Sequence, residues 1–357
     1  MADFVKSISG PRMPTDGFDP DVPYQFIDLN GTRPMGVRTF ERKTLIEVAN
    51  PGICRMSNFR MVRQDVPNIS PVPFPGPGSL VTSMALPAES IVSFTLHGVG
   101  EGSTKIRGRD HDVTGGRPPS EDFTLQVSVR SPKAKRFATC YAFDRINKDT
   151  GRRVDFRTMF KDINNAYESQ ASLKITNIDD SSDSAKIRSL VVDGSFGRGF
   201  DVNDIASLRR FADSFERAFP GVFHSVHATV VVMPVPLTPD GENTDLIGIN
   251  RSLMRASDNR RFSVLFISSA AFREQQNLTS IVAHEMGHSM GLHHIPDRVR
   301  IPESERRKDE PDPDAFPFAE RTLMFPFTFM RSMRLNMVQI ELLHMDLRGI
   351  SQESFVI

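Results

Sequence analysis

Residues 284–294 read His284-Glu285-Met286-Gly287-His288-Ser289-Met290-Gly291-Leu292-His293-His294, and few backbone arrangements make chemical sense of that order. On a helix, His284 and His288 stand one turn apart on the same face. With His284 as origin and about 100° per residue, His288 lies at about 40°, whereas Val282, Met286 and Met290 fall at about 160–240°. One face is therefore predicted to seat the helix in a core and the other to line a cleft. Gly291 can adopt positive φ and end the helix, after which the chain can turn a third imidazole back toward the first two. Histidines at i and i+4 suit one Zn²⁺; a third leaves the fourth position open for water, and a Glu beside the first ligand can take a proton from that water. In a chain of this composition the full spacing arises by chance on the order of once in 10⁵ sequences. The expected ligands are His284, His288 and His294, with Glu285 as general base. Consecutive residues in an extended path point to opposite sides, so His293 is expected to face away from the metal.

The rest of the composition mainly excludes. The 357 residues carry 44 Lys+Arg and 44 Asp+Glu, a neutral balance that argues against a general nucleic-acid binder. No apolar run approaches the ~18 residues of a membrane span. The first thirty residues have no apolar signal-peptide core. That leaves localisation open among a leader missing from this sequence, a leaderless export route and the cytosol. The two cysteines, Cys54 and Cys140, rule out a disulfide-dense scaffold or a Cys-rich zinc module, and whether they pair is not legible.

Texture changes along the chain. Residues 1–79 are rich in Pro and Gly, and the run from Pro71 to Gly78 is predicted as a linker, an extended edge or a staple between β pieces. Over 80–130, LVTSMAL, SIVSFTLHGV, STKIRGRD and FTLQVSVRS alternate apolar and polar residues between Gly and Asp clusters, which predicts an antiparallel β-sandwich. The basic segment 131–136 is expected to be a solvated linker, so the chain is divided into 1–130 and 131–357. Beyond it the pattern is α+β. RFATCYAF, LKITNI, HATVVVMPV and RFSVLFIS are predicted strands, and LIGINRSL a Gly-interrupted edge strand. Phe156, Met159, Phe160, Ile163 and Ala166 mark one amphipathic helix, and Leu208, Phe211, Phe215 and Phe219 a second. The charged stretch 302–314 is expected to be a surface loop.

The histidine segment is the signature of the metzincin zinc metallopeptidases, and the likeness continues downstream. Arg321-Thr322-Leu323-Met324-Phe325-Pro326 resembles the methionine turn of matrixins, and 334–340 resembles the start of their C-terminal helix, with Asn336 and Gln339 as a capping pair. This resemblance implies a mixed twisted sheet, an active-site helix and a C-terminal helix, preceded here by the β-rich N-terminal region. It also implies Met324 beneath the metal, with Met330 and Met333 as rivals, and a side-chain pocket after the turn at Phe325, Pro326 and Phe327. The implied activity is zinc-dependent endopeptidase cleavage of a protein or peptide laid along an edge strand. Departures exist: Met324 follows His294 by 30 positions, longer than the matrixin connection; Phe325 replaces a Tyr of some metzincins; His293 replaces a matrixin Asp; and there is no matrixin cysteine-switch motif. Residues 80–130 loosely resemble bacterial immunoglobulin-like repeats, so the N-terminal region could bind a target, serve a delivery partner or shield the cleft.

Weaker candidates complete the reading. Cys54 as a latency thiolate is outweighed by a buried, inert Cys. Asp179, Asp180 and Asp183, and Asp240, Glu242 and Asp245, could hold Ca²⁺ but lack a dedicated spacing. His224 and His227 read as a strand start rather than a second metal site. The rival functions are a zinc hydrolase of a non-protein amide such as a cell-wall component, and a binding or adhesion protein with a vestigial metal site.

Overall fold

The computed structural model describes residues 3–6, 24–39, 43–64, 73–110, 121–145, 154–179, 188–194, 196, 199–239, 246–254, 261–268, 271, 278–292, 294, 323–324, 333, 335, 337–344 and 354–356. The fold is mixed α+β, with most of its regular structure in β-sheets. Two compact units divide the chain, Met1–Pro132 and Lys133–Ile357.

The first unit comprises β1 (Asp3–Lys6), β2 (Tyr24–Asp28), β3 (Thr32–Arg38), β4 (Thr44–Val48), β5 (Cys54–Gln64), β6 (Ser83–Leu86), β7 (Ser90–Gly98), β8 (Gly102–Asp110) and β9 (Glu121–Arg130). They make two sheets, ordered β1-β3-β7-β5 and β2-β9-β8-β4-β6. Every second residue of β7 is buried, as expected for a strand with one packed face. Val37, Met56 and Phe94 of the first sheet and Ile46, Ile106 and Val127 of the second belong to one apolar core, so the sheets form a sandwich.

Strands β1 to β5 lie in the Pro/Gly-rich part of the β-rich N-terminal region, where the sequence pattern delineated no individual strand. Pro34 shows how this is reconciled. It sits in β3 beyond the β1 pairing, which covers Met35–Arg38, and sheets tolerate Pro at such open edges. Of the Pro71–Gly78 run, residues 73–78 are described and form no strand. Phe74 stacks on Phe59 at 6.1 Å, Gly78 N–H donates to Asn58 Oδ1 at 3.0 Å, and Val81 bridges Met56. The run is a staple against β5.

The second unit comprises β10 (Lys133–Phe143), α1 (Phe156–Ala171), β11 (Leu173–Asn177), β12 (Arg188–Val191), β13 (Phe200–Asp201), α2 (Ile205–Ala218), α3 (Val222–Ser225), β14 (Ala228–Val232), β15 (Leu237–Thr238), β16 (Gly248–Met254), β17 (Arg261–Ile267), α4 (Leu278–Ser289), α5 (Met337–His344) and β18 (Ser354–Val356). Lys133 to Phe137, expected in part as linker, already pair in parallel with β11. The alternating register of a sheet edge accommodates Lys133 and Lys135, both half-buried.

The main sheet runs β11-β10-β14-β17-β16-β18, with β12 also on β10. β14 is buried at all five positions, as a central parallel strand covered on both faces must be. β11 and β12 share one edge of β10, and in the gap between them the Asp179 carboxylate accepts the Thr139 N–H at 2.8 Å and pairs with Arg188 at 2.9 Å. Asp179 thus closes a sheet edge; Asp180 and Asp183 lie outside the described residues, as do Asp240, Glu242, Asp245 and the 302–314 stretch. LIGINRSL becomes β16, antiparallel to β17. It is an edge only in part, because β18 pairs with Ser252–Met254.

Asp155 caps α1, accepting the Thr158 N–H at 3.0 Å, and the buried stripe of the helix continues from Ile163 through Tyr167 to Ala171 rather than through Ala166, which is half-buried. Leu208, Phe211 and Phe215 of α2 are buried and Phe219 packs partly buried on the same core. Helix α4 packs on β16, β17 and α1, and α5 on α1. Among the described residues no helix is long and apolar enough to cross a membrane.

Candidate metal centre

Helix α4 carries two of the expected ligands, and its end delivers the third. Gly291 has φ of 93°, a left-handed conformation that a Cβ disfavours. The Leu292 N–H donates to Gly287 O at 2.9 Å and the Gly291 N–H to His288 O at 3.0 Å, the paired bonds of a Schellman stop. Two residues on, His294 returns to the helix face. Its Nε2 lies 3.0 Å from His284 Nε2 and 3.1 Å from His288 Nε2. Burial grades outward, with His284 buried, His288 half-buried and His294 exposed, so the site opens on one side. Behind it Val282, Met286 and Met290 are buried, as the helical wheel predicts.

The tautomers decide what the three rings can do. His284 Nδ1 lies 2.7 Å from the Leu323 carbonyl, and His288 Nδ1 lies 2.8 Å from the Leu292 carbonyl. A carbonyl only accepts, so each Nδ1 carries the proton and each Nε2 is left as a lone pair. Both lone pairs face His294 Nε2, which has at most one proton to give in its neutral form. A single cation between the three nitrogens resolves that conflict. Tetrahedral ligation at about 2.05 Å separates ligand atoms by about 3.3 Å, close to the 3.0 and 3.1 Å observed. The donor set therefore fits a metal ion such as zinc, and the geometry alone does not choose among metals that favour imidazole.

Glu285 is 5% exposed and lies against the edge strand, since a Cβ on Gly248 would stand 3.4 Å from Glu285 Oε1 and 3.0 Å from Ile281 Cγ2. Met324 is fully buried beneath the helix, where its Sδ would be 2.6 Å from a Cβ on Gly287. Any side chain at Gly287 would displace it. His227, half of the alternative histidine pair, bonds Ser289 O through Nε2 at 2.9 Å and so satisfies a terminal carbonyl of α4. His224 is exposed at the end of α3. Among the described residues only His284, His288 and His294 form a metal-holding group.

Burial pushes the Cys54 thiol up to about 12 and raises that of Cys140 as well, desolvation being the main cause in both. Cys54 is fully buried in the apolar core of the first unit, as expected for an inert cysteine. Met333 is half-buried; Phe325, Pro326, Phe327, Met330, His293 and Asn336 lie outside the described residues. Four participants escaped the sequence pattern: the carbonyls of Leu323 and Leu292, Gly248, and Tyr167. Two left a trace: Gly248 interrupts the predicted edge strand, and Tyr167 stands one position past Ala166, the last residue of the predicted α1 stripe.

No family model and no curated protein matches the chain. Solved structures overlap it in part. Domains 4 and 5 of the S-layer protein SbsC share 13% identity over 30% of this chain and 40% of theirs, at a TM-score of 0.17. The class 5 fimbriae chaperone CfaA shares 10% over 31% and 55%, at 0.18. SSP-19, an MSP-domain-like protein of Caenorhabditis elegans, shares 11% over 32% and 97%, at 0.17. The chain thus spans less than two thirds of the first two, and overlaps at these scores define no relationship.

Proposed function

We propose that this chain is a zinc-dependent endopeptidase of the metzincin kind. The observation that carries the reading is the convergence of three imidazole Nε2 atoms, two of them fixed as lone pairs by main-chain carbonyls; Glu285, next in sequence to the first of them, is buried against strand β16. His284, His288 and His294 would hold the ion. When bound, zinc supplies Lewis acidity that polarises a carbonyl and makes water a nucleophile near neutral pH. Glu285 takes the proton from the attacking water and delivers it to the departing amine, which splits the peptide bond into acid and amine. Its near-complete burial shields that transfer from bulk solvent.

Substrate is positioned by β16. An extended peptide can add to an open strand edge through main-chain hydrogen bonds. Among the described residues, β18 pairs with Ser252–Met254 of β16, and at the other end of the strand a Cβ on Gly248 would stand 3.2 Å from Glu285 Cγ. The test is mass-spectrometric mapping of products from a mixed proteome, beside a panel of cell-wall amides. New peptide termini that depend on added zinc and disappear with Glu285→Ala support the reading. Turnover of the amides alone would replace it with a non-protein amidase.

A further inference from the structure

We infer that Tyr167 and Gln170, on one face of α1, are positioning residues that hold α4 and the Met324 turn at the separation the three imidazoles require; the inference rests on the metal-site reading above. Tyr167 is completely buried, and its hydroxyl donates to the Ala283 carbonyl at 2.8 Å. Ala283 immediately precedes His284. Three residues along α1, Gln170 Nε2 donates to Met333 O at 2.7 Å and Gln170 Oε1 accepts from the Leu335 N–H at 2.8 Å. One helix face therefore grips the backbone just before the first ligand and the backbone that follows the methionine turn.

The circuit closes on its far side. His284 Nδ1 bonds Leu323 O, and the space where Gly287 would bear a side chain is taken by Met324 Sδ and the Tyr167 hydroxyl, 2.6 and 3.3 Å from the would-be Cβ. Tyr167 thus touches the helix, and Met324 touches it beside Tyr167, while Gln170 fixes the backbone at Met333 and Leu335, further along the chain from Met324. If either grip loosens, Leu323 O moves relative to His284, and the proton that holds Nε2 as a lone pair is no longer pinned to Nδ1. Partners that orient a ligand histidine in this way change metal affinity by about 10–100-fold when lost. Burial raises the phenol's pKa far above neutral, so Tyr167 remains a donor throughout the working range, and it is too deep to meet a substrate.

The test uses the full chain with Tyr167→Phe and Gln170→Leu. Tyr141→Phe serves as control, because Tyr141 is an equally buried tyrosine whose oxygen accepts the Val154 N–H at 2.6 Å. Three quantities are read: Co²⁺ affinity by chelator competition, the visible absorption of the Co²⁺-loaded protein, and the His284 tautomer by ¹⁵N NMR of the metal-free protein. Both α1 variants should bind Co²⁺ at least ~10-fold more weakly, with an altered spectrum. The metal-free variants should show His284 as a tautomer mixture, and Tyr141→Phe should change stability alone. Affinities within twofold of wild type with His284 unchanged would overturn the positioning role. If the wild type binds no Co²⁺, the metal reading falls, and the tautomer measurement still decides the positioning role. If Tyr167→Phe does not fold, the half-buried Gln170 decides it through Gln170→Leu.

Discussion

Glu285 sits beside its ligand neighbour yet is nearly sealed from solvent, and the two residues should be separable by mutation. Glu285→Ala keeps all three imidazoles and both carbonyl contacts. Metal analysis should therefore find about one ion per chain still bound, while kcat falls by at least ~10³ because both proton transfers are lost. His294→Ala removes the ligand that returns after Gly291 and should weaken metal binding outright. At Gly287 a single added methyl must push Met324 away, and overpacking of this kind costs about 1–3 kcal/mol, readable as a lower denaturation midpoint. The cysteines give a pH signature. Their folded pKa values are raised by burial, so above the ordinary thiol range the unfolded chain releases protons that the folded chain keeps. Stability is then full below about pH 8.5 and falls as pH rises beyond it. A thiol reagent should label Cys54 and Cys140 after denaturation and leave them unmodified in the native protein.

Helix α2 is a clean place to weigh one cap. The Asp204 carboxylate accepts from the Ala206 and Ser207 N–H groups at 3.1 and 3.0 Å, and bonds to Ser207 hold its pKa below the usual carboxylate value. Asp204→Ala should cost about 0.5–2 kcal/mol at neutral pH in a urea titration. Because the folded pKa is depressed, that stabilisation is present above the unfolded carboxylate pKa and disappears as pH falls through the folded one. The difference between variant and wild type should accordingly vanish in acid. Elements with a strong period were legible in this way. The β7 alternation, the all-apolar β14 and the stripe of α2 each follow from which face must be dry. The β1 to β5 strands were not, because Pro and Gly mark strand ends and open edges as readily as they mark loops. At the metal centre the side-chain ligands could be read from spacing, whereas the carbonyls of Leu323 and Leu292 could not. Every residue has a carbonyl, and only the turn geometry selects these two. Tyr167 was hidden for a related reason, since a tyrosine within an apolar stripe reads as core until its hydroxyl finds an acceptor.

At the scale of the whole molecule, each unit encloses its own apolar cluster, one centred on strands β3 to β9 and the other on Phe211, Phe215, Phe223 and Phe266. Among the described residues none belongs to both. The fragment 133–357 should fold without the rest, and a dispersed NMR spectrum of that fragment would establish it; a molten spectrum would show that the first unit completes its core. The two clusters also have a calorimetric consequence. Heating the full chain should produce two endotherms instead of the single all-or-none transition of a one-core domain. Zinc at a hundred times its Kd would lower the free energy of the native second unit by about 2.7 kcal/mol, roughly 5–10 °C for a unit of this size. Only one endotherm should move, so the scan would report which half of the chain answers to the metal before any substrate is known.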